Sequence, residues 1–357
     1  MDIFKCIKCG KTLTGFIPLE CECGYKPPIV NGVYQFTNDK PISVEGDGLK
    51  WLGYELVGEN YEPGYFYNKE NDRIGNSESL AKFIGSSKVI LDIGAGLGGS
   101  SISFALCGLY SVAADISQVM LETAIERAKK HNPPRDKIIF ARMNGYKLEL
   151  ADSSIDAVLA IDVLHQVDRP ELVMEEIKRV LKPEGYFLQY GGGVSKKTGE
   201  YTEEQAAANA KYNEALKDIQ SFYDNIILEA GYSEPPFSCW DKARECIEEN
   251  FEEFTTITDT GVYSGNNTVD NIVMERKLKL GLHKIKTRAS GSKQLIPDTI
   301  HNDAWMRTDQ YARNKYGENY GEITRYFISG SGTSSGMKLH KRRLGKELYY
   351  KQTGDNI

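Results

Sequence analysis

The sequence predicts an α/β protein with a doubly wound, mostly parallel seven-stranded sheet, a small N-terminal zinc ribbon and helical cap insertions. Three observations predict it. Between Lys88 and Tyr190 short apolar runs alternate with helical stretches, the pattern of βαβ units. The first of these runs leads into a glycine-rich turn, Gly94-Ala-Gly96-Leu-Gly98-Gly99. Four of the seven cysteines lie close together near the start of the chain.

The 357 residues, 40% hydrophobic and 26% charged, exclude disorder as the main state and suffice for about two domains. A net charge of −6 argues against broad gripping of nucleic acid or anionic lipid. No apolar run approaches the roughly 18 to 20 residues of a membrane span. Met1 to Lys11 lacks the apolar core of a signal peptide, so a cytoplasmic location without membrane contact is expected.

The first element is the cysteine cluster, Cys6-x2-Cys9 followed by Cys21-x-Cys23. Two close thiol pairs on facing turns supply the tetrahedral soft-ligand set of a structural zinc, and Gly10 and Gly24 suit the tight knuckles. Disulfides are disfavoured in a reducing compartment; metal-free surface thiols are the other alternative. Asn31-Gly32 then marks a two-residue hairpin and residues 38–48 read as a linker; the domain boundary is set inside it, with the ribbon and the first part of the linker at residues 1–44. Residues 45–336 form the main domain.

Residues 49–84 carry Trp51, Tyr54, Tyr61, Tyr65, Phe66 and Tyr67, a dense aromatic group before the first core strand. In the core, 88–192, strands are expected at Lys88 to Ile93, Tyr110 to Asp115, Lys137 to Arg142, Ile155 to Ile161 and Gly185 to Tyr190. Helices are expected at Ser100 to Leu109, Gln118 to His131 and Arg169 to Leu181. The glycines fit both GxGxxG and GxGxG. Asp92 separates the two: a carboxylate two places before the first glycine can face the ammonium of S-adenosylmethionine but would repel a pyrophosphate. Asp115, ending the second strand, can take both ribose hydroxyls, with Ile116 against the adenine.

Beyond the core, Glu203 to Gly231 and Cys239 to Asn250 read as helices, Glu252 to Asp259 as strand six and Glu322 to Gly330 as strand seven. The insertion 260–321 between them, with a charged helix from Asn271 to Lys286 and another from Trp305 to Tyr316, reads as a cap over an acceptor pocket. A stabilising excursion or a homodimer contact is its alternative use. Gly330 to Gly336 resembles a flexible linker, and residues 337–357, with the run Lys338-Leu-His-Lys-Arg-Arg-Leu-Gly-Lys346, read as a basic solvated tail open to RNA or an acidic partner.

From Lys88 to Tyr190 the chain resembles the class I S-adenosylmethionine-dependent methyltransferases. Four motifs carry the resemblance: Leu91-Asp-Ile-Gly-Ala-Gly96, Asp115-Ile-Ser-Gln-Val-Met-Leu121, Asp152-Ser-Ser-Ile-Asp156 and Glu176-Ile-Lys-Arg-Val-Leu-Lys-Pro-Glu-Gly-Tyr186. The resemblance implies a Rossmann-like methyltransferase fold and S-adenosyl-L-methionine as cofactor. Asp92, Gly94, Ala95 and Gly96 would surround its methionine part, Asp115 and Ile116 its ribose and adenine, and Asn144 and Gly145 the adenine edge. Asn144 departs from the Asp common there. The segment from Asp162 to Gln166 would line the space beside the sulfonium, with His165 the candidate general base. The lid, 49–84, would cover the cofactor, with Tyr61 or Tyr67 meeting its methionine carboxylate or the acceptor; packing of these rings in the core is the alternative. The activity so implied is methyl transfer to an O or N atom of a small molecule, such as a specialised metabolite. An RNA base methyltransferase using ribbon and tail, or a non-catalytic cofactor-binding partner, are the alternatives; the intact Asp92, Gly94, Gly96 and Asp115 set argues against the last.

Overall fold

The computed structural model describes residues 2–15, 17–39, 43–45, 49–51, 74–75, 77–85, 87–167, 169–195, 200–232, 239–257, 272–288, 296–329 and 333–343. Most of the expected lid, Tyr61 included, and the end of the expected tail lie outside them. The core strands form where apolar runs are continuous: β5 (Val89–Ile93) is buried at every position, as a central parallel strand covered on both faces must be. Around it lie β6 (Tyr110–Asp115), β7 (Ile138–Arg142) and β8 (Ile155–Leu159), with β9 (Leu181–Ser195) beyond β8. The crossover helices α2 (Gly99–Leu106), α3 (Gln118–His131) and α4 (Pro170–Val180) follow the predicted positions closely. In α4, Pro170 opens the helix, and Val173, Met174, Ile177 and Val180 recur at helical spacing on its buried face. A short helix, α1 (Glu78–Ile84), precedes the core.

The ribbon is not a separate body on a linker. Its hairpin, β1 (Ile29–Val30) and β2 (Val33–Gln35), turns at Asn31 and Gly32, both left-handed at φ 48° and 85°, as the primed turn of a tight hairpin requires. Strand β2 then pairs in parallel with β7, so among the described residues the main sheet has nine strands, in the order β1-β2-β7-β6-β5-β8-β9-β13-β10, with β10 at Phe251–Ile257 and β13 at Thr333–Arg342. The Lys5 amide donates to the Glu149 carbonyl (2.8 Å), the Ala151 amide to Ile3 (2.7 Å), and Phe4 stacks on Phe36 at 5.3 Å. Ile3, Phe4, Leu13, Leu19 and Phe36 thus share one core with Ile139, Leu148 and Leu150. The physical reason is the outer edge of β7, whose unpaired backbone groups the hairpin satisfies. Part of the expected linker is itself a hairpin, β3 (Ser43–Glu45) with β4 (Leu49–Trp51).

The C-terminal third corrects three expectations. Strand seven of the core is β13 (Thr333–Arg342), inserted antiparallel between β9 and β10 (Phe251–Ile257), so the first residues of the supposed basic tail lie inside the sheet. Met337 and Leu339 point into the core with no exposed surface, while Lys338 and Lys341 reach Glu253 (2.7 Å) and Glu184 (3.4 Å). The Arg342 guanidinium donates to the carbonyls of Lys178 and Leu181. The segment expected as strand seven is β12 (Thr324–Ser329), which pairs with β11 (Ile272–Lys277) in a separate hairpin. The expected charged helix from Asn271 is therefore β11 followed by two single turns, Leu278–Gly281 and His283–Lys286.

That hairpin belongs to a cap with its own core. Helix α5 (Glu203–Glu229), opened by a capping box between Thr202 and Gln205, packs Tyr212, Ile219 and Tyr223 against Leu278, Leu282, Ala304 and Tyr320; α6 (Cys239–Asn250) packs on the main core instead, and α7 (Asp298–Tyr316) completes the cap. Its buried polar groups are paired: Tyr223 donates to His301 Nδ1 (2.8 Å), and Tyr311 and Tyr316 donate to Asp218 (2.8 and 2.9 Å). The cap thus spans both flanks of strand six, more than the 260–321 insertion the sequence suggested.

Candidate active site and metal centre

In an open α/β sheet ligands gather beyond the carboxyl ends of the strands. There β5 and β6 end side by side at Asp92 and Asp115. Asp92 is 4% exposed; the Ser101 hydroxyl donates to its Oδ2 at 2.6 Å. Burial pushes its carboxyl up to about 7, with Ser101 opposing and the charge of Asp115 adding to the rise. Asp92 thus braces the start of α2 and forms the floor of the site.

Asp115 holds the glycine turn in place: the Gly96 amide donates to its Oδ2 and the Ser117 amide to its Oδ1, both at 2.8 Å. Ser117 in turn caps α3 by accepting from Met120. Ala95 donates its amide to the Ala114 carbonyl (3.1 Å), lashing the turn to the end of β6. At Gly94, φ is +67° and an added Cβ would stand 2.1 Å from Val163 Cγ2. Only glycine fits between the two strand ends. Gly145 has no such need, since its nearest neighbours, on Val173, would lie at 3.7 Å.

On the β7 side, Arg142 donates from Nε to the Ile116 carbonyl (3.0 Å) and from Nη2 to the Asp39 carbonyl (2.7 Å). Asn144 accepts from the Tyr146 amide through Oδ1 (3.0 Å) and donates through Nδ2 to Asp39 Oδ2 (2.7 Å). On the other side β8 leads to Asp162, exposed and left-handed at φ 52°, a strained conformation of the kind found at functional sites. Gln166 donates to its carbonyl, and His165 follows on a single 3-10 turn, Leu164–Gln166. Burial pulls the His165 pKa down to about 4 despite Asp162 nearby, leaving a neutral ring that is a poor general base.

The structure therefore gathers Asp92, Gly94, Ala95, Gly96, Asp115, Ile116, Asn144, Gly145, Asp162 and His165 along one edge of the sheet. Sequence reasoning missed Ser101, Arg142 and Asp39, and it placed Val163 only as part of the segment from Asp162 to Gln166. Ser101 lies one turn into the helix after the glycines, where its hydroxyl can fold back onto Asp92; Arg142 and Asp39 have no local signature, because they meet the site only through the fold.

The four thiols, Cys6, Cys9, Cys21 and Cys23, converge so that all their Sγ atoms lie within 4.8 Å of one another. Sγ separations are 3.7 Å between Cys6 and Cys23 and 3.5 Å between Cys9 and Cys21. A tetrahedral zinc with bonds of about 2.3 Å needs sulfur pairs about 3.8 Å apart. All four are free thiols, and each knuckle closes by a backbone hydrogen bond, the Gly10 amide donating to the Cys6 carbonyl and the Gly24 amide to that of Cys21. The CxC half forms its turn as well as the CxxC half does. Donor chemistry and spacing both fit a four-thiolate metal.

Residues 91–189 match the family described as Methyltransferase domain. Among curated proteins, a demethylmenaquinone methyltransferase of Clavibacter sepedonicus is 35% identical over 116 residues, 32% of this chain and 45% of that one. A sterol 24-C-methyltransferase of Saccharomyces cerevisiae is 27% identical over 151 residues, 38% of this chain and 39% of that one. The S-adenosyl-L-methionine-dependent Diels-Alderase of Talaromyces variabilis is 27% identical over 202 residues, 51% of this chain and 68% of that one. A solved methyltransferase from Aquifex aeolicus shows 22% identity, covering 37% of this chain and 71% of that one at a TM-score of 0.30. This chain spans less than half the length of the quinone and sterol methyltransferases it matches. The similarity to methyltransferases thus lies in residues 91–189, the sheet core.

Proposed function

We propose that the protein transfers a methyl group from S-adenosylmethionine to a small-molecule acceptor. The observation that carries this reading is the pair of carboxylates, Asp92 and Asp115, on adjacent strand ends around a turn where only glycine fits, inside the matched methyltransferase domain. Such an acceptor-rich edge suits a ligand bearing an ammonium, a sulfonium and a ribose diol. When bound, the cofactor supplies a methyl group made electrophilic by its sulfonium. Asp92 and the Gly94 to Gly96 turn would hold its methionine part, Asp115 and Ile116 its ribose and adenine, and Asp162 would face the reacting centre. The cap over residues 203–229 and 272–329 would cover the acceptor and exclude water. Relatives named for carbon methylation widen the acceptor atom from oxygen or nitrogen to carbon as well.

A small molecule is favoured over RNA because Lys338 and Lys341, expected on a free basic tail, are paired within the sheet. Labelled S-adenosylmethionine incubated with metabolite and RNA fractions tests the reading; label entering only RNA, with an activity that falls steeply as salt rises, contradicts it. We further propose one structural zinc per chain on Cys6, Cys9, Cys21 and Cys23, closed to substrate.

Alignment of acceptor and methyl group does most of the work in this reading. His165→Gln is therefore expected to keep kcat within about threefold, far from the hundredfold or more that losing a general base costs. A Michaelis series at pH 7 checks it.

Asp92 gives the site a pH dependence. Its raised carboxyl must lose a proton to pair with the cofactor's ammonium, so affinity should fall by at most about tenfold per pH unit below about 7 and level off above it. The folded protein without cofactor runs the other way. It holds that proton more tightly than the unfolded chain, so this contribution to stability is lost as pH rises to about 7. Calorimetry from pH 6 to 8 should show proton release on binding; a flat affinity would remove Asp92 from the ligand's charge.

A further inference from the structure

We infer that Asp39, at the exit of the metal-binding ribbon, is the acceptor that recognises the adenine amino group of the cofactor; the inference rests on the S-adenosylmethionine reading above. A ligand whose methionine part lies at the end of β5 and whose ribose lies on Asp115 at the end of β6 extends next over the end of β7. Three polar groups stand there: Arg142, Asn144 and Asp39. An exocyclic amine needs an acceptor. Arg142 has none, and two of its nitrogens already hold the Ile116 and Asp39 carbonyls.

Asn144 is the poorer acceptor: its neutral Oδ1 already takes the Tyr146 amide and keeps one lone pair, and its Nδ2 donates to Asp39. Turning the amide over would set its NH2 against the Tyr146 N–H and its oxygen against a carboxylate, so the orientation is fixed by both partners. What Asn144 presents toward the rim is a donor, and the Asp39 carboxylate covers it. A carboxylate has about four lone-pair sites, so the bond from Asn144 leaves it able to accept again.

Asp39 is held for this task. Its amide donates to Thr37 Oγ1 (3.0 Å), and Arg142 fixes its carbonyl to the same guanidinium that braces Ile116. Asn144 and Thr37 keep its carboxyl below the usual range, so it stays ionised. Three residues before it, Phe36 donates its amide to the Arg142 carbonyl (3.1 Å) and stacks on Phe4 of the ribbon. The ribbon thereby contributes a side chain to the cofactor site.

The test is calorimetric binding of S-adenosylhomocysteine and of its inosine counterpart, which carries a carbonyl in place of the amine. Wild-type protein is expected to prefer the adenosine form by about 10- to 100-fold, the range for one hydrogen bond to a charged group. Asp39→Ala should bind S-adenosylhomocysteine correspondingly more weakly and bring the preference to parity or below, with an unchanged circular dichroism spectrum. The exchange D39N/N144D, which moves the carboxylate across the same hydrogen bond, should restore the adenosine preference and controls for a folding defect in the single variant. An Asp39→Ala protein with wild-type preference overturns the inference and leaves the methyltransferase reading standing. A wild-type protein that binds neither ligand overturns both.

Discussion

Replacing Cys6 and Cys9 together by serine is expected to abolish metal binding and release the ribbon from the sheet. Structural zinc in small sites contributes about 10 to 16 kcal/mol of apparent binding free energy, which here adds to the contacts the ribbon makes with the sheet. Because Phe4 and Phe36 stack inside the shared core, the loss does not stop at the ribbon. It opens the outer edge of β7 and leaves Ile139, Leu148 and Leu150 without part of their cover. We expect elemental analysis to find one zinc per wild-type chain and none in the variant. The variant's thermal midpoint should fall by many degrees, and proteolysis should cut within the first 39 residues. A wild-type chain purified without chelator and free of metal would contradict the assignment, and a metal-free variant with an unchanged midpoint would contradict the ribbon's part in the core.

Gly94→Ala is the second large effect. A non-glycine residue in the left-handed region costs roughly 1 to 2 kcal/mol, and forcing a methyl group into filled space adds typically 1 to 3 kcal/mol. Here the methyl would overlap Val163 Cγ2. Yielding means moving the strand end that carries Asp92 or the turn that carries Asp162. S-adenosylhomocysteine binding should therefore become undetectable at concentrations that saturate the wild type. Adding Val163→Ala removes the overlap but not the backbone cost, so the double variant should recover stability in part. No recovery would mean that the left-handed backbone, rather than Val163, sets the requirement.

The sequence made the sheet core legible because each of its signals is local. An apolar run of five residues, a glycine turn and a helix with a 3.6-residue period can each be read within a short window, and Gln118–His131 and Cys239–Asn250 fall where they were expected. The strands past Ile257 were harder. Thr324–Ser329 has strong β character but pairs within the cap. Thr333–Arg342 begins with Thr, Ser and Gly and continues with Lys, His and Arg, so it reads as linker and tail. Its place in the sheet is decided by a few buried residues such as Met337 and Leu339, together with pairing to strands far away in the chain. The same division runs through the site. Asp92, Asp115 and the glycines belong to one motif and could be found together. Asp39 reaches Asn144 across more than a hundred residues, and no spacing rule connects them.

The late position of β13 has a consequence for how the protein is made. On a ribosome, β9 and β10 emerge long before the strand that must lie between them, and among the described residues β10 has no other partner in the sheet. At ordinary elongation rates of about 5 to 20 residues per second, the interval from Ile257 to Thr333 is roughly 4 to 15 seconds. Throughout it the nascent chain shows one open strand edge and one unpaired strand, a template for pairing with neighbouring chains. The part of the cap that packs against α5, residues 272–288 and 296–329, is synthesised within that same interval, so the cap can close on its own core while the sheet waits. Completion of the sheet is thus the last step of folding, and it joins the two ends of the nascent chain's history in a single insertion.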